Sequence, residues 1–320
     1  MLSRVADALY WLARYSERTE NNAHILGVQL EKMLEESGKE ISYKQDWQTV
    51  LDICASSSEY EQIYGDIRVR KVVDYLAFSE YNTNSLVKTS NYVRENAKMT
   101  RDTIPNELWE VWNEFYLSLN KEKKQEGFSF QEIYYFLQRI QMTIMTAAGM
   151  IDSSMPRNKP YHFMKIGKWL ERAEKTARIL QVLSNRTKNN NQTDFCEYQS
   201  QFALQLVHGY EDYSKKYRHK DPQLIIQFLI SDRTFPRSIR YCMEHVKKAI
   251  LEIESEKVAF HSREMFLSIE EMLTSVRNVQ VNQLSFEEMG DVISNTLDQC
   301  VKFGKTFSTT YYLIEADAKK

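Results

Sequence analysis

Two segments of the chain contain glutamate and arginine at a spacing that could support chemistry. Each has the pattern Glu-Arg-x-Glu, and together they comprise Glu17, Arg18, Glu20, Glu171, Arg172 and Glu174. On a helix the two glutamates of a segment lie three residues apart and share one face. Paired carboxylates on one face can bind a metal ion, transfer protons or hold a polar ligand. Arg14 and His24 in the first segment and Arg178 in the second complete this group of candidate ligand-binding residues.

The same residues also admit structural interpretations. Glu171 and Glu174 each have a basic residue four positions later, and such pairs stabilise a surface helix by only about 0.2–0.5 kcal/mol. The first segment has Asn21 and His24 at those positions and still keeps its glutamates, which favours a role beyond surface pairing. A salt-bridge network, a ligand or metal site and a plain solvated face all remain open.

A metal site would need a specific ligand set. Dimetal helical bundles combine lone glutamates with Glu-x-x-His motifs, and neither segment contains that motif. Glu20 and His24 could bind one ion, and Mg²⁺ held by carboxylates and water is a less demanding alternative, but the second segment has Arg178 in place of His24. We therefore assign no metal ligands. Without a glycine-rich phosphate loop or another cofactor motif, we also expect no cofactor.

A further set of polar residues in the first half could bind a phosphate or a carboxylate. It comprises Arg94, Glu95, Asn96 and Arg101. The two arginines lie seven residues apart and share a helix face, where guanidinium groups suit planar anions. Trp109, which follows them, has the spacing of a core residue. Arg237 is a third candidate, because it comes just before an expected helix start, where free backbone amides favour an anion.

The elements that must position these residues are predicted to be helices. The chain has 9 glycines and 5 prolines in 320 residues, about a third of ordinary usage. Sheets and barrels need more turn-forming residues than this, so we predict an all-α protein. The first helix should run from Ser3 to about Ser37-Gly38, because its apolar residues alternate at spacings of three and four. Polar loops are expected at 185–193 and 213–220.

Charge and cysteine content limit the partners and the compartment. The net charge is −2, so no overall field attracts nucleic acid or an anionic membrane, and we expect neither partner. The four cysteines are widely spaced and are expected to be buried thiols. Charged residues interrupt the N-terminal apolar stretch, so we expect no signal peptide or membrane span, and a cytoplasmic location.

The second half of the chain repeats the first. Residues 9–26 align without a gap on residues 163–180, and six of the eighteen positions are identical. Two further matches, at nearly the same offset, join 72–76 to 225–229 and 128–132 to 284–288. Both segments of the second match contain Ser-x-x-Glu, which predicts a capping box at the start of a long helix. We predict a long-helix bundle built by tandem duplication of a unit of about five helices, spanning 1–155 and 156–320. The halves are expected to pack about a pseudo-twofold axis; two bundles in series is the alternative.

Four motifs follow one another along the chain: MLSRVADALYWLARYSERTENNAHIL, NTNSLVKTSNYVRENAKMTRD, FMKIGKWLERAEKTARIL and FPRSI. In sequence and in order they resemble the motifs of the bacterial alpha-E family of all-helical proteins. The resemblance covers nearly the whole chain and implies that the two halves form one alpha-E domain. His24 stands where arginine is usual in the family, and Thr83 stands where proline often occurs. Both departures favour an anion site in the second half over one in the first.

The resemblance implies a context for function. Members of the family are typically encoded beside a circularly permuted ATP-grasp protein and a transglutaminase-like protein, and a role in forming or modifying peptide bonds is implied. We therefore expect a non-catalytic partner or scaffold for an ATP-grasp-type ligase, with a pseudo-symmetric Glu/Arg groove that binds a peptide or the partner. The alternative is an enzyme whose paired glutamates bind metal or act as general acid and base.

Overall fold

A computed structural model describes most of the chain, in six stretches. These are residues 2–35, 40–122, 128–189, 197–254, 259–281 and 284–311. Within them the chain forms fourteen α-helices and one short 3-10 helix, and no strand occurs in this part. The all-α prediction is confirmed. The expected helix end at Ser37-Gly38 lies outside the described residues, as does Cys196.

Seven helices lie in each half of the chain. The first seven are α1 (Ser3–Glu35), α2 (Glu40–Ile53), α3 (Ser57–Tyr64), α4 (Val69–Phe78), α5 (Leu86–Met99), α6 (Asn106–Glu122) and α7 (Phe130–Ser154). The second seven are α8 (Lys159–Asn189), α9 (Glu197–Leu206), α10 (Tyr210–Lys216), α11 (Pro222–Ser231), α12 (Ile239–Ile253), α13 (Arg263–Asn278) and α14 (Phe286–Thr310).

The expected count of about five helices in each half was too low. Helices α3 and α10 account for one of the extra helices in each half. They give little sequence signal, because they have 8 and 7 residues and bury one tyrosine each, Tyr60 and Tyr213. A single buried residue leaves no repeated apolar spacing to detect. The prediction of a loop at 213–220 is therefore wrong for residues 213–216, which belong to α10. Of the loop expected at 185–193, the residues up to Asn189 belong to α8, and the rest lie outside the described part of the chain.

The chain divides into two compact units. One comprises Trp11–Arg157, and the other comprises Met1–Tyr10 together with Asn158–Lys320. We call them the 11–157 unit and the 158–320 unit. The boundary at the N-terminal end falls inside α1, after Tyr10, so this helix contributes residues to both units.

In the 158–320 unit, α8 is the central helix and packs against α12 and α14. Its packing face includes Leu170, Ala173 and Ala177, which are completely buried. The two alanines allow neighbouring backbones to approach closely. Near the start of α8, the ring of Phe163 lies 6.1 Å from Phe307 and 5.2 Å from Tyr311, so aromatic contacts join α8 to the end of α14.

In the 11–157 unit, polar contacts join α1 to its neighbours. Lys32 Nζ lies 2.6 Å from the Asp46 carboxylate on α2, and Thr19 Oγ1 donates to Thr89 Oγ1 on α5 over 2.8 Å. Helix α5 also packs against α6, and α6 packs against α7. No described helix in either unit combines the length and the apolar character needed to cross a bilayer.

Two helices, α2 and α9, end in the same way with a left-handed residue that is not glycine. Ala55 has φ 51° and His208 has φ 53°. After Ala55 the Ser56 amide donates to the Leu51 carbonyl over 2.9 Å, and after His208 the Gly209 amide donates to the Leu204 carbonyl over 2.7 Å. This six-to-one bond is the hallmark of the Schellman cap. Helices α3 and α10 begin two residues after the left-handed residue, at Ser57 and Tyr210.

Candidate functional site

Three charged side chains of the first Glu-Arg-x-Glu segment are almost completely buried on α1. Arg14 is 6% exposed, Glu17 is 5% exposed and Glu20 is 3% exposed. Arg18 and His24 are half-buried. Taking a charge out of water is costly unless partners compensate for it. Such a concentration of buried charge on one helix distinguishes this stretch of α1 from an ordinary amphipathic face.

Arg18 joins α1 to the start of α5 inside the 11–157 unit. Its guanidinium carbon lies 5.5 Å from the centre of the Tyr15 ring, and its Nη1 donates to Asn84 Oδ1 over 3.3 Å. Tyr15 in turn packs against Tyr92 of α5, with ring centres 4.8 Å apart. The arginine is therefore held between an aromatic pair and the loop that precedes α5.

Arg172 makes the corresponding contacts on α8 inside the 158–320 unit. Its guanidinium carbon lies 5.0 Å from the centre of the Trp169 ring, and its Nη1 donates to the Pro236 carbonyl over 3.5 Å. Trp169 packs against Tyr241 and His245 of α12, at 5.5 and 5.0 Å between ring centres. Again an arginine lies between an aromatic cluster and the loop that precedes the neighbouring helix.

We call residues 79–85 and 232–238 the cap loops, because each ends in the serine that caps the following helix. Ser85 accepts from the Lys88 amide at the start of α5, and Ser238 accepts from the Tyr241 amide at the start of α12. The side chain two residues after each Glu-Arg-x-Glu segment donates a hydrogen bond to the backbone carbonyl of the residue before the capping serine. Asn22 Nδ2 donates to the Asn84 carbonyl over 3.0 Å, and Thr176 Oγ1 donates to the Arg237 carbonyl over 2.9 Å.

The side chain of the first residue in each cap loop also accepts hydrogen bonds from backbone amides within the loop. Ser79 Oγ accepts from the amides of residues 81 and 82, both over 3.2 Å. Asp232 Oδ1 accepts from the amides of residues 234 and 235, both over 2.8 Å. Asp232 additionally accepts from Lys216 Nζ at 2.7 Å. Burial raises the pKa of Asp232, but these hydrogen bonds outweigh burial and hold its pKa below the usual value.

The second Glu-Arg-x-Glu segment differs from the first in which residues are buried. Glu171 is 4% exposed and Lys175 is 9% exposed, whereas Glu174 and Arg178 are half-buried. Arg237, predicted as a separate anion-binding residue, lies in the cap loop whose carbonyls Arg172 and Thr176 bind. The structure thus brings the Arg237 backbone next to this segment.

The set around Arg94 lies in the second half of α5 and, for Arg101, in the turn that follows it, so it begins more than two helical turns after the cap loop that precedes α5. Arg94 donates to Asn113 Oδ1 over 3.0 Å and lies 2.7 Å from the Glu95 carboxylate. The guanidinium groups of Arg94 and Arg101 lie 5.8 and 5.5 Å from the Trp109 ring centre. Asn96 does not join them, because it is buried and its Nδ2 donates to the Tyr92 carbonyl one turn earlier.

Sequence reasoning had not singled out the neighbours that hold the arginines. The most informative of them are Tyr15, Asn22, Asn84, Trp169 and Thr176. Their signal was present in the repeat, because Tyr15 and Trp169, like Asn22 and Thr176, occupy corresponding positions at an offset of 154. Among the residues that the structure describes, no group of three or more His, Cys, Asp or Glu side chains is placed to hold a metal ion.

Comparison with known proteins gives a family. The model of the Alpha-E family, described as a predicted alpha-helical domain with a conserved ER motif, matches residues 1–312. Consecutive Glu-Arg pairs occur in this chain at 17–18 and 171–172. No curated protein and no solved structure matches the chain.

Proposed function

We propose, from the premise that this chain belongs to the alpha-E family, that it is a non-catalytic helical partner or scaffold for an ATP-grasp-type peptide or amide ligase system. In this proposal the Glu-Arg-x-Glu segments and their cap loops bind a peptide or the partner protein. The ligase and a transglutaminase-like protein are the partners that the family resemblance implies. We place the complex in the cytoplasm.

The burial of Arg14, Glu17 and Glu20 on α1 carries the proposal. Replacing buried ion pairs by apolar residues of similar volume is often neutral or stabilising. Packing alone therefore gives no reason to keep three charges on one helix. A site that must recognise charged or hydrogen-bonding groups does give such a reason, since buried polar groups discriminate strongly between ligands that satisfy them and ligands that do not.

We also infer that the chain arose by tandem duplication, and matched local contacts support this. At an offset of 153 residues, the left-handed Ala55 corresponds to His208, and Ser79 in its loop corresponds to Asp232. The Tyr60 hydroxyl donates to the carbonyl of residue 66 and the Tyr213 hydroxyl to that of residue 219, again at this offset. The pseudo-twofold packing of the halves stays a prediction.

Co-purification tests the proposed partnership. The tagged full chain is co-expressed with the ATP-grasp protein encoded beside it, and the complex is isolated at low salt. We expect a stoichiometric complex that the double variant Glu17→Gln/Glu20→Gln weakens by about tenfold or more, because the buried carboxylates lose their charge. Glu264→Gln is the control, since Glu264 is an exposed glutamate on α13. Failure to co-purify under these conditions contradicts the scaffold proposal.

The enzymatic alternative makes a different prediction for the same variants. Glutamates that act as general acid and base would be required for turnover by the isolated chain. Loss of such turnover in Glu17→Gln with an unchanged melting temperature would favour the enzyme. A lower melting temperature with unchanged complex formation would instead assign Glu17 to a salt-bridge network.

A further inference from the structure

The outward side of α7 exposes an apolar face. Tyr135 is 58% exposed, Met142 is 63% exposed and Met145 is 49% exposed. They lie seven and three residues apart and so occupy one side of the helix, where Gln138 is also exposed between Tyr135 and Met142. Gly149 continues this side, with open space where a Cβ would be. We call Tyr135, Met142, Met145 and Gly149 the α7 outer face.

Helix α14 shows that a helix in this position does not need such a face. Both helices have 25 residues and both start with a capping box, at Ser129 and Ser285. The positions of Tyr135, Met142, Met145 and Gly149 correspond to Asp291, Asp298, Val301 and Lys305 of α14. Three of those four are ionisable and exposed. The apolar face is therefore a property of α7 and not of the repeated architecture.

A groove lies beside this face, between α6 and α7. It has a volume of about 400 Å³. Val111, Phe115 and Met142 form its apolar lining, and a serine, two threonines, Glu114 and Arg139 also line it. A hydrophobic groove between two helices is the geometry that receives the apolar side of a third helix.

The α6 side of the groove carries an acidic residue, Glu114. Glu107, Glu110 and Glu114 are exposed on α6 at spacings of three and four, so they form a row on one side of that helix that reaches the groove at Glu114. None of the three makes an ion pair with a side chain in the described part of the chain. The acidic row therefore favours a partner with basic residues along the matching edge.

We propose that the α7 outer face and this groove dock an amphipathic helix from a partner protein, with Leu-like side chains in the groove and Lys or Arg against the acidic row. The distance from Tyr135 to Gly149 along α7 is about 21 Å at 1.5 Å per residue, which corresponds to about four turns of the bound helix. A second copy of this chain fits less well, since it would bring the same three carboxylates. The proposal does not rest on the ligase partnership.

Two synthetic peptides test the proposal with the full chain. Both are helical peptides of about 18 residues with the same leucine face; one has lysine margins and the other glutamate margins. Fluorescence anisotropy should show that the lysine peptide binds at least about tenfold more tightly than the glutamate peptide. The double variant Glu110→Lys/Glu114→Lys should reverse that preference.

Two single variants locate the binding surface. Met142→Asp introduces the residue found at the corresponding position of α14 and should weaken lysine-peptide binding by about tenfold or more. Asp298→Asn on α14 is the matched control and should leave binding unchanged. Because Met142 is mostly exposed, both variants should keep the wild-type melting temperature.

Three results would overturn the proposal. The first is equal affinity for the two peptides, and the second is unchanged affinity in a folded Met142→Asp variant. The third is a dimer of the chain, seen by light scattering, that Met142→Asp dissociates and that excludes the peptide. That last result would assign the surface to a second copy.

Discussion

At the scale of single residues, each Glu-Arg pair contributes an arginine that performs two tasks at once. Arg18 lies over Tyr15 and donates to Asn84, and Arg172 lies over Trp169 and donates to the Pro236 carbonyl. A planar guanidinium can stack on a ring while its edge donates hydrogen bonds, whereas an ammonium is a compact point charge. This geometry gives a physical reason for arginine, and not lysine, at both positions.

Lysine substitution tests whether each arginine is needed both for its ring contact and for its hydrogen bond. Arg18→Lys and Arg172→Lys should each lower the free energy of unfolding by about 0.5–1.5 kcal/mol, because the ring contact and the directed hydrogen bond cannot both be kept. Urea denaturation followed by circular dichroism measures the change. Arg233→Lys is the control, because Arg233 is exposed in a cap loop. Equal stability of all three variants would mean that charge alone matters at positions 18 and 172.

The positions of these arginines followed from sequence, but their partners did not. The Glu-Arg-x-Glu pattern is local and is repeated, so it identified both segments. Asn84 lies 66 residues from Arg18, and no local pattern encodes a contact of that range. The different exposure of Glu20 and Glu174 was also unpredictable, since the two residues are identical in type and in spacing.

At the scale of elements, the caps determine where helices end and begin. The capping boxes at Ser129-Glu132 and Ser285-Glu288 were predicted, and both are confirmed. Their signal is contained in four residues, and it satisfies end-of-helix amides wherever it occurs. The Schellman caps at Ala55 and His208 were not predicted, because glycine is the usual residue in that conformation and neither position has one.

Glycine at position 55 should therefore stabilise the protein. A left-handed conformation costs a residue with a Cβ roughly 1–2 kcal/mol, and glycine's greater freedom in the unfolded chain offsets part of the gain. We expect Ala55→Gly to raise the free energy of unfolding by about 0.5–1 kcal/mol in urea denaturation. Ala148→Gly inside α7 is the control and should have the opposite sign, by about 1 kcal/mol. Destabilisation by both variants would contradict the strain at Ala55.

At the scale of the whole molecule, ionisable groups define the pH range of stability. Burial raises the pKa of Glu244, but Arg240 and Arg277 outweigh burial and hold its pKa below the usual value of 4.5. The pKa of Asp232 is likewise held below its usual value of 3.8, because hydrogen bonds from Lys216 and from backbone amides outweigh burial. A carboxyl group with a lowered pKa in the folded state stabilises that state above the unfolded pKa. Stability should therefore fall as the pH drops below about 4.5.

Buried tyrosines limit stability at the alkaline end. Burial, with a smaller effect from nearby Glu59, raises the pKa of Tyr75 from 10.0 to about 12. Burial, with a smaller effect from Asp221, raises the pKa of Tyr213 by the same amount. The folded chain thus holds these protons more tightly than the unfolded chain does. That contribution is complete below pH 10 and is lost as the pH rises towards 12.

Tyr75→Phe should reduce the loss of stability at alkaline pH, and the alignment of the two halves of the chain supports phenylalanine at this position. Phe228 occupies the corresponding position in the second half, and its ring lies edge-on to Tyr213 as the ring of Tyr75 lies edge-on to Tyr60. The Tyr75 hydroxyl has no hydrogen-bond partner among the described residues, so the variant should match the wild type at pH 7. Near pH 12 the free energy of unfolding of the variant should exceed that of the wild type by on the order of 1 kcal/mol after allowance for solvent screening.

Thermal melts between pH 7 and 12 measure this difference in stability. Tyr81→Phe, at a site 86% exposed, is the control, and an identical alkaline loss in both variants would exclude Tyr75 as its cause.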